Sequence, residues 1–173
     1  REVVILLDHS ASMGYGDHWQ KAKAAAHEAL RSLGGNDKAT LVLFSRNAEE
    51  SMRATSDRAR LDVAVDNAKV DADSTRYGPA LKLAESILLR STARRRETIL
   101  ISDFQRNGWT GSEDVHFPDG YAVTAVSVAT ENADNVAVPS VTFARAAFSG
   151  TERVTVTAGI ANRGATSQPD VPV

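Results

Sequence analysis

Val3-Val4-Ile5-Leu6-Leu7-Asp8-His9-Ser10-Ala11-Ser12 runs five apolar, mostly β-branched or leucine residues straight into a carboxylate and two hydroxyls. An apolar run without alternation marks a strand covered on both faces, the condition of a parallel sheet with helices on either side. Asp8, Ser10 and Ser12 fall on alternate residues, so they deliver hard oxygen ligands to one place. Hard oxygens suit Mg²⁺, Ca²⁺ or Mn²⁺ rather than zinc or copper. Far along the chain, Thr98-Ile99-Leu100-Ile101-Ser102 is a second apolar strand, and it too ends in a carboxylate, Asp103. The two segments predict a divalent-cation site at the carboxyl ends of two strands.

Working outward, Trp19, Ala22, Ala26, Leu30 and Leu33 recur at helical steps, with Asp17 placed to cap the start and Gly34-Gly35 to close the end. Ala39–Phe44 is a second buried strand and Glu50–Thr55 a short edge strand. Asp57 can cap a helix with Leu61, Ala64, Val65 and Ala68 on one face. The polar loop 71–77 leads through Gly78-Pro79 into a third amphipathic helix carrying Leu81, Ala84, Ile87 and Leu88; proline is tolerated in a first turn, where its missing N–H costs little. Arg94-Arg95-Arg96 reads as a solvated helix end. Tyr121–Val128 is a further strand. Strand and helix alternating over short links predict an α/β fold: a doubly wound, mostly parallel sheet with helices on both faces. Ligands of such sheets sit beyond the strand ends where strand order reverses, and Asp8 and Asp103 occupy two such ends.

The texture changes near Asn132. Val136–Phe143 and Arg153–Ile160 alternate, joined through Ser149-Gly150-Thr151, with a turn at Ala161–Gly164 and no helical pattern after it. The expected organisation is one domain over residues 1–132 and the start of a β-sandwich module over 133–173. Val136–Phe143 as the last strand of the first domain is the other reading.

Composition narrows the classes. A length of 173 residues accommodates one well-buried domain with chain to spare. A net charge of −2 gives no attraction for nucleic acid or anionic membrane, so neither is an expected partner. The absence of cysteine excludes disulfides, thiolate metal sites and a cysteine nucleophile. No apolar run reaches the roughly 20 residues that span a bilayer. The chain reads as a piece of a longer protein, in which any membrane contact would be made by a segment outside it.

Asp8-x-Ser10-x-Ser12, a threonine in a loop before a helix and an aspartate ending a later strand resemble the von Willebrand factor A domain. The resemblance covers residues 3 to about 130. It places the threonine on Thr75, in Thr75-Arg76-Tyr77-Gly78-Pro79-Ala80-Leu81, and the aspartate on Asp103. It implies a metal-ion-dependent adhesion site of Asp8, Ser10, Ser12, Thr75 and Asp103. The hydroxyls would ligate directly or through water, and the two aspartates would supply charge and orient waters. It implies Mg²⁺ (or Mn²⁺ or Ca²⁺) as cofactor, a protein partner whose Glu or Asp completes the coordination, and no enzyme activity. Met13–Asp17, Ser102–Trp109 and the following β-module are similar to bacterial membrane-anchored aerotolerance-type (Bat-like) proteins, which implies a place in the bacterial cell envelope. Integrin-like A domains have glycine after the last aspartate; this chain has Phe104.

Other readings compete at particular residues. Asp8 could serve a Mg²⁺-dependent phosphohydrolase or phosphotransferase, but such sites want a second acid two residues on, where this chain has Ser10. His9 is either a ligand or, by alternation, turned away from the metal. His18, His27 and His116 are scattered, with no zinc-type His pair. Tyr77 and Trp109 are either aromatic contacts on the rim for a partner or loop packing.

Overall fold

The computed structural model describes residues 1–130, 136–148, 151–162 and 167. It divides into two compact units, 1–129 and 130–173. The first is a five-stranded sheet with three α-helices. Its elements are β1 (Glu2–Asp8), α1 (His18–Arg31), β2 (Lys38–Phe44), β3 (Ala48–Thr55), α2 (Arg58–Asn67), α3 (Tyr77–Leu89), β4 (Arg96–Ser102) and β5 (Tyr121–Ser127). Strand order is β3-β2-β1-β4-β5, parallel except for the antiparallel edge strand β3.

β1 is central, and its side chains divide by parity. Val3, Ile5 and Leu7 pack with α1 and α2 residues such as Ala22, Ala26, Leu30, Leu61 and Val65. Val4 and Leu6 pack with Tyr77, Ala80, Ala84 and Leu88 of α3 on the opposite face. β2 divides the same way, Leu41 to the first face and Val42 and Phe44 to the second. This two-faced burial is why these strands are written as unbroken apolar runs. The chain leaves β1 for β2 on one side and returns through α3 to β4 on the other. Strand order therefore reverses between β1 and β4, and the ends carrying Asp8 and Asp103 are neighbours.

Local signals held unevenly. Asp57 caps α2, its Oδ1 accepting from Arg60 N–H at 3.1 Å. Asp17 stands at the start of α1 without a capping bond and pairs instead with Lys21, one turn on, at 3.0 Å. α1 closes before Gly34-Gly35, at Ser32, whose hydroxyl donates to Ala29 O at 2.7 Å. The Arg94–Arg96 run is not on a helix end, because α3 stops at Leu89. Arg95 pairs with Glu97, and Arg96 bridges Ala93 O and the Tyr121 hydroxyl.

The second unit has two long antiparallel strands, β6 (Val136–Phe148) and β7 (Thr151–Asn162), with Phe143 opposite Val156. β6 pairs with β7 and is not part of the five-stranded sheet. Asn162 still belongs to β7, so the expected turn does not begin at Ala161. The Ser149-Gly150 junction, Arg163-Gly164 and the boundary near Asn132 lie outside the described residues. Val141, Phe143, Val154, Val156 and Ile160 are exposed.

Ile5→Ala and Leu6→Ala probe the two faces of β1 separately. Each deletes a fully buried side chain, so each is expected to cost about 2–5 kcal/mol in urea unfolding. A loss under about 1 kcal/mol for either would show that its face is not packed as described.

Candidate functional site

Asp8 ends β1 with no solvent exposure. Its Oδ1 accepts from Ser10 N–H at 2.9 Å, which turns the chain sharply and brings the Ser10 side chain back over the strand end. Its Oδ2 accepts from the Ser102 hydroxyl at 2.6 Å and, more loosely, from Thr75 at 3.4 Å. Ser10 Oγ lies 2.7 Å from Thr75 Oγ1 and 3.2 Å from Ser12 Oγ. Four hydroxyls and a carboxylate from three distant stretches of chain thus meet in one cluster. Ser10 and Thr75 are buried while Ser12 is half-buried, so the cluster opens to solvent on the Ser12 side.

Thr75 is brought there by its loop. Asp71 N–H donates to His9 O at 2.6 Å, Ala11 N–H to Asp73 O at 2.9 Å and Arg76 N–H to Ser45 O at 2.8 Å. These backbone bonds strap residues 71–76 across the ends of β1 and β2. Ser45 Oγ adds a bond to Asp71 Oδ2 at 2.7 Å, which, with the Ala72 N–H, holds the Asp71 carboxyl below the usual carboxylate range. His9 points out of the cluster, its Nδ1 3.0 Å from Lys69 O.

Asp103 follows β4 and is buried. Its Oδ2 accepts from Gln105 Nε2 at 3.2 Å and lies 3.8 Å from His18 Nδ1. Its Oδ1 is buried with no hydrogen-bond partner. An unpaired buried carboxylate oxygen is costly, and it is the kind of atom a cation or its bound water satisfies. The Asp8 carboxyl is pushed above its ordinary range, chiefly by burial, with the charge of Asp103 adding to the effect and bonds from Ser102 and Ser10 opposing it. Raising a carboxylate this way favours the protonated folded state, so its contribution to stability is lost as pH rises through the shifted value. Among the described residues no three His, Cys, Asp or Glu side chains gather around one point. The oxygens here are two carboxylates and three hydroxyls, a donor set that fits a hard divalent cation and leaves it only partly neutralised.

Tyr77 corrects an expectation. It is fully buried, not on the rim. Its ring stacks on Trp109 at 4.3 Å and on Phe104 at 6.0 Å, and its hydroxyl meets Ser102 Oγ at 3.1 Å. Burial pushes the phenol up to about 12. Tyr77 is a pillar under the site, and Trp109, 42% exposed, is the aromatic that reaches the surface. Phe104 adopts φ 54°, the left-handed region that glycine occupies without penalty. Its place in the Tyr77 stack offsets that strain. Ser102 and His18 were not among the expected site residues. Ser102 shares parity with Leu100, hence the α3 face, and this was the signal that could have found it.

The von Willebrand factor type A domain family matches residues 3–105. The chain therefore belongs to this family. It is similar to the vWF domain of the type V pili tip protein Mfa5 from Porphyromonas gingivalis. The identity is 26% and the TM-score 0.54, over 59% of this chain and 37% of that one. The chain thus spans well under half of that relative. It shares its fold with BatB from Bacteroides thetaiotaomicron (21% identity, TM-score 0.59, 91% of this chain and 80% of that one). The fold also recurs in proximal thread matrix protein 1 of the mussel byssus, solved with zinc in its MIDAS motif (18% identity, TM-score 0.57, 73% of this chain and 35% of that one). No curated protein matches the sequence.

Gly108 faces the Tyr77 ring so closely that an added Cβ would sit 2.5 Å from Cε2. Gly108→Ala is expected to push Tyr77 off the stack and to cost about 1–3 kcal/mol in denaturant unfolding, with a change in Trp109 fluorescence. Unchanged stability and fluorescence would show that the pillar is looser than its contacts imply.

Proposed function

We propose that this von Willebrand factor type A domain is a divalent-cation-dependent protein-interaction module, with Asp8, Ser10, Ser12, Thr75 and Asp103 as its metal-binding residues. Domains of this family mediate protein–protein interaction, and this reading supplies the means. The observation that carries it is the gathering of the Ser10, Ser12 and Thr75 hydroxyls beside Asp8 within hydrogen-bond distance of one another. The buried Asp103 Oδ1 without a hydrogen-bond partner supports it. When bound, the cation supplies an electrophilic centre for a partner's Glu or Asp carboxylate. Neutral hydroxyls in place of further acids keep that centre attractive to an incoming anion.

The protein's own groups do the positioning. Ser102 and Ser10 N–H fix the Asp8 carboxylate, Gln105 holds one oxygen of Asp103, and the 71–76 strap sets Thr75. Mg²⁺ or Mn²⁺ suits the donor set best, with Ca²⁺ the larger alternative. Because the byssus relative carries zinc at this motif, Zn²⁺ belongs in the test. The two-stranded second unit is read as the start of a β-sandwich module. The chain shares its fold with an aerotolerance-related membrane protein from Bacteroides fragilis. That likeness supports, as part of this proposal, a parent protein in the bacterial cell envelope; no described helix is long and apolar enough to cross a membrane.

Isothermal titration of the domain with Mg²⁺, Mn²⁺, Ca²⁺ and Zn²⁺ at millimolar concentration tests the assignment. Asp8→Ala is expected to abolish binding, and Ser102→Ala, which frees the Asp8 carboxylate without removing a ligand, to weaken it about 10- to 100-fold. Equal affinity in wild type and Asp8→Ala would sink the assignment.

A further inference from the structure

The residue after Thr75 begins a second feature beside the cluster. Arg76, Gly78 and Lys82, at the start of α3, and Gly108, Thr110 and Glu113, after β4, line an open cleft of about 410 Å³. The cleft and the cluster share a wall: Gly108 lies against the Tyr77 ring, and the Tyr77 hydroxyl reaches Ser102 beside Asp8. Arg76 and Lys82 are exposed. The ion pairs among the described residues include neither of them. Arg76 makes a single long bond, from Nη1 to Asn107 O at 3.5 Å. The acid in the same cleft, Glu113, is bonded within its own loop: its Oε1 accepts from Thr110 N–H at 2.5 Å and from Thr110 Oγ1 at 2.9 Å, bonds that hold its carboxyl below the usual range. The cleft therefore carries two cations against one ionised acid.

Some surface cations pair locally: Lys21 with Asp17, Arg31 with Glu28, and Arg46 with Asp73. Arg76 and Lys82 do not, and they share one cleft beside the cluster. Arg76 brings a planar fork that matches a carboxylate, and Lys82 a mobile point charge. The glycines at 78 and 108 keep the floor low enough for a side chain to enter. Trp109, exposed between Gly108 and Thr110, offers an aromatic lip.

We propose that this cleft receives a second carboxylate of the same partner, so that the segment recognised is acidic and carries at least two Glu or Asp residues. One would dock at the cluster and another between Arg76 and Lys82. This rests on the metal-dependent reading above for the first carboxylate, while the cleft stands on its own residues.

The test uses two capped peptides, a tetraglutamate and one with a single glutamate among glycines, each titrated with and without Mg²⁺. In Mg²⁺ the tetraglutamate is expected to bind wild type about three- to tenfold tighter than the single-glutamate peptide, a preference weakened by salt as exposed charge contacts are. The variant Lys82→Ala, on an exposed position outside the 71–76 strap, should reduce that preference at least about threefold while Mg²⁺ affinity stays unchanged. An equal preference in the variant would overturn the cleft assignment. So would inorganic phosphate displacing the tetraglutamate at equal concentration, because the site would then be a general anion trap. Tetraglutamate binding that needs Lys82 but is undiminished in EDTA would uphold the cleft and overturn the metal reading alone.

Discussion

Asp8 is a carboxylate held out of solvent at the end of a strand that is itself covered on both faces. Burying a carboxylate is among the more expensive things a fold can do, and the expense is tolerated only where hydrogen bonds or a counter-charge meet it. Here the bonds come from Ser10 N–H, Ser102 and Thr75. They are the reason three separated stretches of chain converge. Ser10 is drawn back over the strand end, Ser102 is placed by the neighbouring strand, and Thr75 is carried in by a loop. The bonds moderate the strain on Asp8 without removing it, since burial still pushes its carboxyl above the ordinary range. Protonation is one way to relieve these buried acids on adjacent strand ends, and the proposed cation beside Asp8 and Asp103 would be another.

The layer beneath follows from the same geometry. Ser102, which donates to Asp8, is met from the other side by the Tyr77 hydroxyl and by Phe104 N–H. Tyr77 in turn is fixed between Phe104 and Trp109, over a glycine that leaves no room for a side chain. Phe104 accepts a left-handed backbone to join that stack. A glycine there would be free to change conformation; a phenylalanine packed on a buried ring is anchored. The site in this chain is therefore built on a rigid aromatic floor, with Trp109 carrying that floor to the surface.

The fold was legible where physics acts on neighbours in sequence. Val3–Leu7 and Thr98–Ser102 announce two-faced burial directly, and the helical spacing of Ala22, Ala26 and Leu30 announces α1. Asp57 is a working cap, whereas Asp17 prefers Lys21 one turn along, a choice that depends on side-chain reach rather than on residue type. Asp8, Ser10 and Ser12 were legible as oxygen ligands at a strand end, but the turn after Asp8 and the 3-10 turn at Ala11–Gly14, rather than strand alternation, bring the two serines to it. Thr75 needed a family resemblance, because its position depends on backbone bonds from its loop to His9, Ala11 and Ser45, all distant in sequence. Tyr77 was misread for a related reason. An aromatic beside a polar loop looks exposed until Gly108 and Trp109, far along the chain, close over it. Ser102 was hidden by the more conspicuous acid that follows it.

If two buried acids and three hydroxyls exist to hold an ion, the ion can be seen. Crystals soaked in millimolar Mn²⁺ and measured where manganese scatters anomalously would locate it without reference to any partner. The predicted result is a single strong anomalous peak bounded by Asp8, Ser10, Ser12, Thr75 and Asp103. A map with no peak there would contradict the assignment, and Asp8 would have to be understood as a structural carboxylate whose partners are only Ser10, Ser102 and Thr75.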